Sequence, residues 1–123
     1  MGNEISWLVE LVVNSNALDR FRTLTEQMVE STRDEAGVLI YERFNSEDSM
    51  NVLVYERYSD SNSALAHLKA YRERFEERFG SLVERKRFSV LGSPSRELRA
   101  ELNGLGVTEY LSPMAGFSEQ KRE

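Results

Sequence analysis

Two segments of this chain nearly repeat each other: VLIYERF at Val38–Phe44 and VLVYERY at Val52–Tyr58. Only the short polar linker NSEDSMN, Asn45–Asn51, lies between them. Both segments are rich in β-branched and aromatic residues, which suit the pleated surface of a sheet. A link that short joins antiparallel neighbours, because parallel strands need a crossover of about a dozen residues or more. The chain therefore carries a β-hairpin near its middle, and the rest must be arranged around it. The 14-residue offset (52 − 38) matches no solenoid or propeller repeat. In a duplicated βαβ unit the second strand would resemble the fourth, whereas here the likeness joins the second and third. It reflects partner strands that meet similar surroundings.

The flanking sequence supplies the other elements. ISWLVELVV, Ile5–Val13, reads as a strand buried on both faces. Asn14-Ser15-Asn16 caps a helix whose apolar positions are Leu18, Phe21, Leu24, Met28 and Val29, running to about Thr32. Gly37 marks the turn into the hairpin. Ser59–Ser63 opens a second helix with the stripe Ala64, Leu68, Tyr71, Phe75 and Phe79, which Gly80 ends or kinks. RFSVLG, Arg87–Gly92, is a fourth strand. Ser93-Pro94 starts a short helix through Leu102, stopped by Asn103-Gly104. GVTEYL, Gly106–Leu111, reads as a fifth, edge strand, and MAGF in the tail is too apolar for a simple solvated end.

The order β-α-β-β-α-β predicts an α+β, ferredoxin-like split βαβ fold with an antiparallel sheet, extended by a C-terminal helix and strand. Residues 1–123 are read as one domain, with its core in about 5–92 and the added helix, strand and tail in 93–123. Right-handed crossovers put both main helices on one face of the sheet. The other face is left open, and an open apolar face is an expected interface.

Composition removes several functional classes. The formal charge is −5, with basic residues scattered among acidic ones, which disfavours nucleic acid as a partner. The chain has no cysteine and one histidine, His67. Disulfides, thiolate metal sites and multi-histidine metal sites within one chain are thereby excluded, and no metal is expected. No apolar run approaches the ~20 residues of a membrane span, so no membrane partner is expected and the expected location is cytoplasmic.

The hairpin pattern also yields candidate site residues. A turn centred near Asp48 makes the numbers of facing residues sum to about 96. One face then carries Val38, Ile40, Glu42 and Phe44 with Val52, Val54, Glu56 and Tyr58. The other carries Leu39, Tyr41 and Arg43 with Leu53, Tyr55 and Arg57. The first, more apolar set is expected beneath the helices. Tyr41, Arg43, Tyr55 and Arg57 are expected to face a second subunit, since Tyr and Arg are favoured at interfaces. Glu42 and Glu56 on the apolar side must be paired, protonated or turned to a cavity. Either both lie near the sheet rims and reach water, or pair with helix arginines, or at least one lines a pocket between sheet and helices. His67, at the edge of the helical stripe, is either a hydrogen-bonded structural group or a pocket base or donor within reach of Glu42, Glu56 or Tyr58.

TRDEAG (Thr32–Gly37), YERF, YERY and ALAHLKAY (Ala64–Tyr71) together resemble the antibiotic biosynthesis monooxygenase (ABM) domain. The resemblance covers most of Ile5 to Gly92. It implies a ferredoxin-like fold paired through its sheets into a homodimeric α/β barrel, with a small aromatic ligand and no cofactor. Such proteins include cofactor-independent monooxygenases of quinols and polyketide-type aromatics. The resemblance gives His67 the place of the family's helix histidine, acting as base or donor. Glu56 and Tyr58 take the strand motif, and Glu42 and Tyr71 are expected to join the substrate pocket. The chain departs from the heme-degrading relatives: Val9 stands at the centre of the first strand and Glu77 near the place of the heme-ligating histidine. The rival reading is a dimeric α/β-barrel protein that binds a small molecule, or is stress-associated, without chemistry of its own.

Overall fold

The structure is a computed structural model and describes residues 2–119. Its elements run β1 (Ile5–Val13), α1 (Leu18–Thr32), β2 (Val38–Asn45), β3 (Asn51–Tyr58), α2 (Ser61–Arg74), α3 (Glu76–Leu82), β4 (Val83–Leu91), α4 (Arg96–Gly104) and β5 (Glu109–Leu111). A 3-10 turn, Ser15–Ala17, leads into α1. The strands lie in the order β2-β3-β1-β4-β5. This is the α+β, ferredoxin-like arrangement that the element order predicts.

The first four strands pair antiparallel, whereas β5 joins β4 parallel through Ser89↔Glu109 and Val90↔Tyr110. The sheet is therefore mixed. A parallel neighbour requires a crossover, and α4 supplies it. Its buried Leu98 and Leu102 pack into the core, and Glu101 bridges to Arg72 of α2 at 2.9 Å.

One face of the sheet carries the core. Trp7, Val9, Leu11 and Val13 of β1 lie under Phe21, Leu24 and Met28 of α1 and Ala64, Leu68 and Tyr71 of α2, all buried. The predicted second helix breaks at Phe75, whose φ of −130° is not helical, five residues before Gly80. β4 also starts earlier than Arg87, because β1 is long enough to pair as far as Val13↔Val83. A bulge beside Glu10 and Leu11 absorbs one extra β4 residue. It turns Arg85 to the helix side, level with Leu11, while Arg87 stays on the open face opposite Glu10.

The hairpin register differs from the expected one. Tyr41 faces Glu56, Glu42 faces Tyr55 and Arg43 faces Val54, so the sum is 97 (41 + 56). The cause is the turn. The Ser46 amide donates to the Asn51 carbonyl at 2.9 Å, leaving an even loop, Glu47 to Met50, between them. Asp48 Oδ1 accepts from Ser46 Oγ (2.7 Å) and from the Met50 amide (3.0 Å), and Ser49 takes the left-handed conformation at φ 65°. A shift of one residue exchanges the faces of β2. Tyr41 and Arg43 therefore point toward the helices, away from the open face expected for them. Glu42 is exposed on the open face and does not join the interior. A second irregularity, between Val38 and Ile40, returns Val38 to the inner side opposite Tyr58.

The open face carries Ile40, Glu42 and Phe44 beside Leu53, Tyr55 and Arg57. Phe44 and Leu53 are 53% and 38% exposed. Arg57 is braced there by Glu4 at 3.4 Å and Ser6 Oγ at 3.2 Å. Met114 and Phe117 in the tail stand almost wholly in solvent.

Candidate functional site

His67 sits on the buried face of α2, one turn beyond Ala64. The helix is capped by Asp60, whose Oδ1 accepts from the Ser63 amide at 2.8 Å. The turn that follows α1 is pressed against this same end. Gly37 adopts φ +81°, and a Cβ there would lie 2.0 Å from Ser63 Oγ. Its carbonyl accepts from the Ser59 amide at 2.9 Å. Only glycine lets the turn come so close, and that approach carries Glu35 over the imidazole. Glu35 Oε1 is 2.8 Å from His67 Nδ1.

The other ring nitrogen looks toward the sheet. His67 Nε2 lies 3.6 Å from Glu56 Oε1, an ion-pair distance but too long for a direct hydrogen bond. Glu56 Oε1 instead accepts from Trp7 Nε1 at 2.9 Å and from the Tyr58 hydroxyl. Those two donors make burial of the carboxylate tolerable. Trp7 and Tyr58 pack ring to ring with centroids 4.7 Å apart, and Tyr41 and Tyr58 each approach the imidazole at 5.4 Å. Burial, reinforced by the Glu56 charge, raises the Tyr58 pKa well above that of an ordinary phenol. Burial likewise pushes Tyr41 up to about 12, again helped by Glu56 and opposed by Arg43. Both hydroxyls remain protonated at neutral pH.

Beyond this group lies a cavity of about 50 Å³, walled by Trp7, Tyr41, Glu56, His67 and Tyr71 together with Arg43 and Arg85. That is room for a few waters. Arg43 Nη2 donates to the Tyr41 hydroxyl (2.9 Å) and Nη1 to Thr25 Oγ1 (3.0 Å). Arg85 donates to the Tyr71 hydroxyl (3.1 Å) and the Leu105 carbonyl (3.2 Å). Among the described residues no group of three or more His, Cys, Asp or Glu side chains could hold a metal ion.

Of the residues singled out from sequence, His67, Glu56 and Tyr71 meet at this cavity, and Tyr58 stands behind Glu56 as its donor. Glu42, Tyr55 and Arg57 lie on the opposite face. Tyr41 and Arg43 are the reverse case, placed outside by the expected register and found in the wall. Three further residues complete the site. Glu35 was visible only as part of the TRDEAG motif, with nothing to give it a role. In sequence Trp7 reads as part of a strand buried on both faces, and Arg85 as one of the basic residues scattered among acidic ones.

None of the curated proteins with which the sequence was compared matches it. Among solved structures, MupZ of Pseudomonas fluorescens aligns over 97% of this chain and 91% of its own, with a TM-score of 0.77 and 24% identity. SnoaB of Streptomyces nogalater, described as a cofactor-independent oxygenase and solved as a mutant, covers 77% of this chain and 95% of its own at TM-score 0.63 and 10% identity. A Shewanella oneidensis protein, SO0527, covers 73% and 88% at TM-score 0.60 and 22% identity. These likenesses are of fold. The sequence itself matches the family described as antibiotic biosynthesis monooxygenase over residues 5–71, more than half of the chain. The chain belongs to the antibiotic biosynthesis monooxygenase family.

Proposed function

We propose that this protein is a cofactor-independent oxygenase of phenolic or quinol substrates, with His67 as its base. The observation that carries the reading is the imidazole held between two carboxylates in the wall of a cavity. Glu35, on Nδ1, fixes the ring and leaves Nε2 to take a proton from a ligand. The imidazolium that forms then lies between Glu35 and Glu56, 2.8 and 3.6 Å away. The protonated Tyr41 hydroxyl, polarised by Arg43, is a donor for the oxyanion left on the substrate.

A deprotonated phenol is electron-rich enough to reduce oxygen itself. A phenol with a free ortho or para C–H takes up one O2 at that carbon as a hydroperoxide, and a quinol does so at an ortho position. Loss of water then leaves a quinone, so one oxygen atom stays in the product and the other leaves in water. The protein's part is to remove the first proton, hold the anion and keep bulk water away.

The same reading includes a homodimer formed through the open sheet face, in a cytoplasmic setting. The exposed Phe44, Leu53 and Leu111 support the interface. The second reading is a small-molecule-binding or stress-associated dimer without turnover, in which the Glu35–His67–Glu56 contacts only hold the interior together. Oxygen uptake over a panel of quinols and anthrone-like phenols separates the two. Uptake that falls in His67→Ala supports the oxygenase. No uptake on any substrate removes it, and equal rates in both proteins remove His67 as the base.

A further inference from the structure

We propose that the ligand of this cavity carries an anionic group, a carboxylate, held between Arg43 and Arg85. The proposal deepens the oxygenase reading by naming a substrate class, but the binding it asserts does not require turnover.

The two guanidinium groups reach the same cavity from opposite sides of β3 and β1, one from β2 and the other from β4. Four other arginines pair with acids, Arg33 with Glu30, Arg57 with Glu4, Arg72 with Glu101 and Arg87 with Glu109, while surface arginines such as Arg74 and Arg78 bond to neutral groups. Among the described residues no carboxylate comes within ion-pair distance of Arg43 or Arg85. Arg43 is instead held by neutral groups, the Thr25 and Tyr41 hydroxyls and the Met28 sulfur at 3.6 Å. Its guanidinium lies 5.3 Å from the centres of both the Tyr41 and Phe79 rings, and its Nε is buried with no partner. A cation so placed is costly to keep without a counter-ion, and its neighbours give it a fixed direction. Arg85 is likewise tied only to a hydroxyl and a carbonyl. It is an exposed residue, and an aromatic ligand must displace it, because the cavity of about 50 Å³ as it stands holds only a few waters.

Along the backbone, the strand positions that carry these cations are offset from that of Glu56. Arg43 is level with Val54, two residues from Glu56 on β3, which is about 7 Å. That is close to the span of an aromatic ring with a hydroxyl at one end and a carboxylate at the other. Glu56, whose Oε1 is occupied by Trp7 and Tyr58, is the carboxylate facing the cavity, against two cations. An anionic ligand therefore completes the charge balance, and its acid end points the reacting hydroxyl at His67.

The test compares 2,5-dihydroxybenzoate with its amide, 2,5-dihydroxybenzamide, by calorimetry on the full chain. The carboxylate is expected to bind about tenfold tighter or more. Arg85→Gln should erase most of that preference, whereas Arg85→Lys should keep part of it. Arg43→Gln should do the same if it folds, and the exposed Arg85 keeps the proposal testable if it does not. In His67→Ala the preference should survive even as oxygen uptake is lost. Preference here, with no uptake on any phenol of the panel, would therefore overturn the oxygenase reading alone. Equal affinities, a preference unchanged in Arg85→Gln, or no binding of either compound at millimolar concentration would overturn the anion site.

Discussion

Glu35 Oε1 and His67 Nδ1 meet at 2.8 Å across 32 residues of sequence, one on a turn and the other on the helix that the turn abuts. The contact fixes which imidazole nitrogen is left for a ligand. Glu35→Gln can keep a hydrogen bond but not the charge, and Glu35→Ala removes both. If His67 is the base, each should lower kcat for oxygen uptake, by about 10-fold and 100-fold respectively, with KM changing far less. Steady-state kinetics on one substrate checks this, and an unchanged kcat in Glu35→Ala would leave the contact purely structural.

Gly37 makes that contact possible. Gly37→Ala meets Ser63 and an unfavourable φ together, so it should cost about 2 kcal/mol or more and loosen Glu35. Urea denaturation measures the cost. Ser63→Ala leaves the backbone conformation in place and should not rescue it fully.

The Tyr58 hydroxyl is one of two donors to a buried carboxylate. Tyr58→Phe should destabilise the fold by about 1–3 kcal/mol, because Glu56 keeps only the Trp7 indole. Combining it with Glu56→Gln should recover part of the loss. Trp7 is the chain's one tryptophan, so its fluorescence reports both the site and the unfolding transition.

Alkaline stability follows from the raised phenols. Tyr41 titrates near 12 in the fold and near 10 when unfolded, so below pH 10 both states are neutral and its contribution is complete. Between pH 10 and 12 the unfolded chain releases its proton first. Stability should therefore fall by very roughly 2–3 kcal/mol across that interval, with Tyr58 acting in the same direction. Denaturation midpoints at pH 9, 10 and 11 should show the decline, and Tyr41→Phe should flatten it.

The dimer is checked on the open face. Light scattering should give twice the chain mass at micromolar concentration, and Leu53→Asp should halve it without unfolding the protein. A monomeric parent chain would remove the interface.

Much of the fold was readable because its signals are periodic. The apolar spacing of α1, the caps at Ser59–Ser63 and the twin hairpin strands each imply one element. The register was not readable, because it depends on hydrogen bonds within the turn: Asp48 reaching Met50, and Ser46 closing on Asn51. An error of one residue there misplaced Tyr41, Arg43 and Glu42 together. The β4 bulge hid Arg85 in the same way, since simple alternation from Phe88 turns it outward. Glu56 and His67 were found because a charged or titratable side chain on an apolar stripe is visible without knowing the register of its neighbours.

The four residues between Ser46 and Asn51 touch nothing in the cavity, yet they govern what lines it. Losing or gaining one of them would rotate β2 by half a turn, withdraw Arg43 and Tyr41, and present Glu42 and Phe44 in their place. Insertions and deletions in a solvent-facing turn are readily accepted during evolution. A single such event could reverse the charge of one wall, giving lineages built on this scaffold a route to new ligands without any substitution in the interior.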